Sequence, residues 1–164
     1  MNGHLSALRK RWIKPDKRAA RYTSGMNHSL HDVKPILETA RRIAVIGVSA
    51  SPEKPAHYVP EYMLENGYEI VPVNASLANQ SLFGQTVRSS LTEIDDPVDM
   101  VDLFRRSEHL DGHLEEILAL NPLPKFVWLQ LGIRNDEFAA QLEAQGIEVI
   151  QDRCLMADHH NLRL

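Results

Sequence analysis

Arg42-Ile43-Ala44-Val45-Ile46-Gly47-Val48-Ser49-Ala50-Ser51-Pro52-Glu53-Lys54-Pro55-Ala56-His57 decides the fold of this chain. An apolar run, Ile43 to Ile46, stops at Gly47 and opens into a loop of small residues. A helical pattern follows the loop at once. A buried strand that feeds a glycine turn and then a helix N-terminus is how α/β proteins build an anion site. The free N–H groups and the positive end of the helix dipole converge on one point there. The stretch therefore predicts that residues 47–57 hold a phosphate-bearing ligand.

Outward from this stretch the same alternation repeats. Asp32 is expected to cap a short helix through about Ala40, with Pro35 in its first turn and Val33, Ile36 and Leu37 on one apolar face. Strand one covers roughly 42–48. After the loop, Val59, Tyr62 and Met63 fall at helical spacing, and Asn66-Gly67 is a left-handed stop. Tyr68 to Val73 reads as strand two, Ser81 to Val87 as a short excursion, and residues 90–94 as a single turn. Val98 to Phe104 reads as strand three. Ser107 is expected to cap a helix that carries Leu110, Leu114, Ile117 and Leu118 on one face. Lys125 to Leu129 is strand four, Asn135 caps the next helix, and Ile147 to Ile150 is strand five. Asp152-Arg153-Cys154 then leads into a short polar C-terminus.

Five apolar strands alternating with helices imply a parallel sheet covered on both faces. Right-handed crossovers favour a Rossmann-like, doubly wound α/β fold with strand order 3-2-1-4-5. Ligands in that fold bind beyond the carboxyl ends of the strands, beside strand one. The candidate residues are therefore the strand exits. At the first exit, Gly47, Val48, Ser49 and Ser51 supply backbone and hydroxyl donors. Lys54 supplies a mobile cation there, and His57 lies in the first helical turn. Asn74 leaves strand two, Phe104, Arg105 and Arg106 leave strand three, and Gln130 and Gly132 leave strand four. One arginine is a candidate phosphate clamp. Phe104 can stack on an adenine or simply finish the core.

Two familiar fingerprints are missing. Ser49 and Pro52 stand where the later glycines of G-x-G-x-x-G would be, and no Gly-Lys-Ser/Thr triplet occurs. An NAD site usually carries an acidic residue after strand two to grip the ribose, and Asn74 stands in that place.

Composition limits the alternatives. The chain has 164 residues, 43% hydrophobic and 24% charged, as expected of one globular domain with an attached segment. No apolar run approaches the roughly 20 residues of a membrane span. The N-terminus lacks the apolar core of a secretory signal. The single cysteine, Cys154, fits a reducing, cytoplasmic setting. Residues 1–31 read as a basic arm and linker, and residues 32–164 as the ligand-binding domain. Residues 1–21 hold seven basic side chains against one acid, Asp16. Taken from totals of 18 basic and 22 acidic residues, this leaves a body with 11 basic and 21 acidic. The arm reads as a solvated tail. Its alternative role is contact with nucleic acid or an acidic protein, although it is too short for a complete DNA-reading domain.

Five stretches taken together are more specific than any one of them. They are Ile43-Ala44-Val45-Ile46-Gly47-Val48-Ser49 with Pro52, Lys54 and His57; Val71-Pro72-Val73-Asn74; Val98-Asp99-Met100-Val101-Asp102-Leu103-Phe104-Arg105-Arg106; Val127-Trp128-Leu129-Gln130-Leu131-Gly132-Ile133-Arg134-Asn135; and Asp152-Arg153-Cys154 followed by His159. In this order they resemble the small stand-alone CoA-binding proteins of the YccU type. Those share a fold with the CoA-binding domain of succinyl-CoA synthetase α subunits. The resemblance covers about residues 35–161. It implies CoA or an acyl-CoA as ligand, with the pyrophosphate over the Gly47–Ser49 turn and Lys54 nearby. It also implies a pocket wall of Asn74, Phe104, Arg105 and Gln130–Gly132. Ala75 and Ala56 depart from the Pro and Ser common at those positions in the family.

Cys154 is a candidate nucleophile, redox thiol or partner for the thiol end of the ligand, with His159 as its candidate base. The alternative is a small buried hydrophobe and an unrelated histidine. No metal site is expected, because Cys154, His159 and His160 lack a fourth ligand. The leading reading is a CoA-binding module with no chemistry of its own. The alternatives are an NAD(P)-dependent oxidoreductase and a nucleotide-sensing regulatory protein. The sequence leaves the oligomeric state open.

Overall fold

The computed structural model describes residues 27–164. The readings placed on residues 1–26, the basic arm above all, lie outside these residues.

The strands are β1 (Arg42–Ile46), β2 (Glu69–Val73), β3 (Ser81–Leu82), β4 (Gln85–Thr86), β5 (Met100–Leu103), β6 (Phe126–Leu129) and β7 (Glu148–Ile150). The helices are α1 (Leu30–Thr39), α2 (Pro55–Glu65), α3 (Leu114–Leu118), α4 (Asp136–Glu143) and α5 (Leu155–Leu162). Five strands form one all-parallel sheet in the order β2-β1-β5-β6-β7. On the outer edge of β2 a single parallel bridge joins Val73 to Arg88. Counted as the third member, that bridge makes the order 3-2-1-4-5-6, which contains the expected 3-2-1-4-5. The outer place belongs to the segment around Arg88, and the strand at Met100–Leu103 lies on the opposite side of β1. The winding direction therefore reverses between β1 and β5, which opens a crevice at their carboxyl ends.

Alternate residues along each buried strand serve opposite faces, as the pleat requires. Ala44, Ile46, Val101, Leu103, Val127 and Leu129 pack with Phe138, Leu142 and Ile117 on the side of α3 and α4. Ile43, Val45, Met100 and Trp128 pack with Ile36, Leu37, Val59, Met63 and Leu155 on the side of α1, α2 and α5.

Three local readings are corrected. Ser29, not Asp32, is the N-cap of α1, and Asp32 is the third residue of a reciprocal capping box. The segment after Arg106 runs as a 3-10 helix from Ser107 to His113 before α3 begins, and the Ser107 side chain caps neither. The C-terminus is not a polar tail but the helix α5. Two of its three buried positions, Asp158 and His159, are polar, which hid the helix in the sequence. Asp158 is buried against Arg153, with two bonds of 2.6 and 2.8 Å. His159 is buried between the rings of Tyr62 and Tyr68.

Candidate functional site

The loop after β1 folds on its own hydrogen bonds. The Ser49 hydroxyl accepts from the Ser51 N–H at 3.1 Å, and the Ser49 N–H donates to the Ala56 carbonyl at 3.1 Å. His57 Nδ1 lies 2.7 Å from the Ser49 carbonyl oxygen. A carbonyl only accepts, so Nδ1 carries a proton, while Nε2 lies 3.9 Å from Glu61 Oε1. Phe83, in the β3–β4 turn, packs its ring 5.2 Å from that of His57. Among the described residues, no hydrogen bond uses the N–H groups of Val48 or Ala50. Val48 is nonetheless buried, and a buried donor without a partner is costly. Lys54 precedes α2 at its N-cap position and is exposed.

Gly47 has a φ of +87°, and a β-carbon there would overlap the Phe104 carbonyl oxygen. The absent side chain thus serves the approach of the β5 exit, where the sequence suggested a ligand. The same contact fixes Phe104 beside the loop. Arg105 follows, with a buried Nε that has no hydrogen-bond partner among the described residues. Arg106 is exposed.

Two predicted wall residues turn inward. Asn74 donates from Nδ2 to the Val48 carbonyl at 2.8 Å, and its Oδ1 accepts from the Ser76 N–H at 2.9 Å. Its amide is spent bracing the loop. Gln130 is 4% exposed; its Nε2 donates to Asp102 Oδ1 at 2.9 Å, and its Oε1 accepts from the Leu155 N–H at 3.4 Å. What this exit offers outward is backbone, together with Leu131, which is 70% exposed. The Gly132 N–H donates to Asp152 Oδ1 at 2.6 Å, stapling the β6 and β7 exits together.

Cys154 stands at the N-cap of α5 and His159 within the helix, and no hydrogen bond joins them. Cys154 is half-buried at the helix N-cap, against the apolar cluster of α1, α2 and α5. His159 points to α2, with Nδ1 3.0 Å from the Tyr62 hydroxyl, and burial lowers its pKa from the ordinary value. Arg153, the neighbour expected to influence Cys154, is committed to Asp158 and to the His28 carbonyl at 2.7 Å.

Sequence reasoning missed Asp102. It is fully buried in β5, with Oδ1 held by Gln130 and Oδ2 without a partner among the described residues. Burial pushes its pKa up to about 7, against the opposing effects of the bonds from Gln130 and the Leu103 backbone. Its signal was an acid inside an apolar strand, Met100-Val101-Asp102-Leu103.

No group of three or more His, Cys, Asp or Glu side chains among the described residues is placed to hold a metal ion. No helix among them is long and apolar enough to cross a membrane. A hollow of about 290 Å³ lined by Leu91, Ile94, Pro97, Val98 and Leu120 lies at the opposite end of the sheet, where β5 begins.

Comparison with known proteins bears on the family and the fold. YneT of Bacillus subtilis strain 168, described as uncharacterized, is 42% identical over 133 residues, covering 81% of this chain and 96% of YneT. A solved structure from Thermus thermophilus is 44% identical, covers 82% of this chain and 99% of its own, and superposes with a TM-score of 0.78. The dinucleotide-forming acetyl-coenzyme A synthetase 1 of Candidatus Korarchaeum cryptofilum is 19% identical. It matches over 72% of this chain and 27% of the synthetase with a TM-score of 0.58, a likeness of fold alone. The model of the CoA binding domain matches residues 41–160, from the start of β1 to within α5. The chain therefore belongs to the CoA-binding domain family.

Proposed function

We propose that this chain is a cytoplasmic binding module for CoA or an acyl-CoA, and that it performs no covalent chemistry of its own. The ligand pyrophosphate sits over Gly47–Ser49, at the N-terminal end of α2. The observation that carries this reading is the set of uncommitted donors at the β1–β5 crevice. The N–H groups of Val48 and Ala50 have no partner among the described residues, and neither has the buried Nε of Arg105. These are donors without acceptors, and a polyanion supplies acceptors. Lys54 adds a cation from the α2 end of the loop, and Arg106 adds a second from the β5 exit.

A nicotinamide dinucleotide suits the crevice less well. The residue after β2 is Asn74, and its amide is already spent on Val48 and Ser76. Thermal unfolding with added ligand tests the choice. CoA at about 100 times its Kd should stabilise the fold by about 2.7 kcal/mol and raise Tm by several degrees. NAD and NADH at the same concentrations should leave Tm where it is. Protection by NADH with none from CoA would overturn the reading.

A further inference from the structure

Beneath the crevice lies a carboxyl group that the binding reading does not use. Asp102 is paired in register with Val45 of β1 on one side and Trp128 of β6 on the other. Val45 is two residues before Gly47, so roughly 7 Å of strand separates the Asp102 level from the start of the loop. The carboxyl leans toward that end of the sheet, because the amide it accepts from belongs to Gln130 at the β6 exit. Gln130 in turn accepts from Leu155 at the start of α5. The group thus belongs to a chain of bonds that joins β5 to the β6 exit and the start of α5, and its Oδ2 ends that chain with no partner among the described residues.

We propose that Asp102 couples ligand binding to proton uptake: a CoA-type polyanion seated in the crevice draws a proton from solvent onto Oδ2, and affinity falls as the solution becomes more alkaline. This rests on the CoA reading of the site. A buried carboxylate and a phosphate at one end of one sheet repel each other, and protonation removes that repulsion. The free carboxyl is already balanced for the exchange, since burial holds its pKa at about 7. One phosphate charge about 10 Å away, at an effective dielectric constant near 20, raises it by about one further unit. At pH 7 that corresponds to uptake of roughly 0.4 proton per ligand, and to an affinity about tenfold weaker on the alkaline side than on the acid side.

Other titratable groups surround this face of the sheet. From α2 come His57 and Tyr62, from α5 come Asp158 and His159 with Cys154 at its N-cap, and just before β2 comes Tyr68; Arg105 follows the end of β5. The α1 residues that face inward are apolar, as are the flanking Val45 and Trp128. Asp158 is paired with Arg153, and Tyr62 and His159 bond to each other.

The experiment is calorimetric titration of the full chain with 3′-dephospho-CoA between pH 6 and 8, in buffers of differing ionisation enthalpy. The pyrophosphate of this ligand does not titrate in that range, so any proton taken up lands on protein. Wild type should take up about 0.4 proton near pH 7, the carbon-13 shift of the Asp102 carboxyl should move toward its protonated value as ligand is added, and Asp102→Asn should lose the uptake. Should Asp102→Asn fail to fold, the Asp102 carboxyl shift in wild type decides the matter. An Asp102 carboxyl shift that ligand leaves unchanged, or no uptake in wild type, overturns the proposal and leaves CoA binding standing. Absence of binding of both dephospho-CoA and CoA by wild type would overturn the functional reading, and the proposal with it.

Discussion

Gly47 and Phe104 meet across the β1–β5 junction so closely that a β-carbon on Gly47 would overlap the Phe104 carbonyl oxygen. The glycine that opens the binding loop is thus demanded by the neighbouring strand exit. The φ of +87° adds a second reason. Loop geometry and the placement of Phe104 and Arg105 are therefore one feature.

Gly47→Ala should lower stability by about 3 kcal/mol, from backbone strain and displacement of the Phe104 carbonyl together. Urea denaturation measures this. A loss below about 0.5 kcal/mol would mean that the two exits move apart freely and do not define one crevice.

Arg153→Met should also destabilise, by about 3 kcal/mol, because it strands the buried Asp158 carboxylate and releases the His28 carbonyl. The double variant with Asp158→Asn should recover part of that loss, since the stranded charge is then gone. Equal stability of the single and double variants in denaturant titration would contradict the assignment.

His159 provides a pH signature on the acid side. Burial between Tyr62 and Tyr68 lowers its folded-state pKa below the ordinary value of 6.5. The unfolded chain then binds a proton before the folded one does. This contribution to stability is present above pH 6.5 and is lost as pH falls toward the folded-state value. Asp102 acts in the opposite sense. Its folded-state pKa is raised from 3.8 to about 7, so its contribution is fully present below pH 4 and is lost as pH rises to 7. His159→Phe keeps a ring between the tyrosines and should flatten the loss of stability below pH 6.5. Denaturant titrations at pH 5 and pH 7 would detect it, and an unchanged slope would contradict the buried neutral imidazole.

Much of this architecture was legible because the strands are apolar, short and punctuated. The readings at 42–48, Val98–Phe104 and Lys125–Leu129 each contain the strand that forms, and Asn135 caps α4 through Phe138 as its position suggested. What escaped was whatever polar residues do when buried. Helix α5 was hidden because Asp158 and His159 face inward, and a reading by hydrophobic spacing assigns such residues to the surface. Asn74 and Gln130 stand at the exits, as expected, yet their amides turn inward to hold Val48 and Asp102. Position along a strand is readable from a sequence. The direction in which an amide spends its hydrogen bonds depends on neighbours dozens of residues away. The place of Arg88 beside Val73 belongs to the same class, since one bridge leaves no periodic pattern.

The central claim is that the crevice above Gly47 and Phe104 takes CoA, and calorimetry on the full chain tests it most directly. CoA and acetyl-CoA should bind with one site per chain, NAD and NADH should give no heat beyond dilution, and Lys54→Ala should weaken CoA binding about tenfold with its ligand-free Tm unchanged. Saturable binding of NADH with no response to CoA would contradict the account.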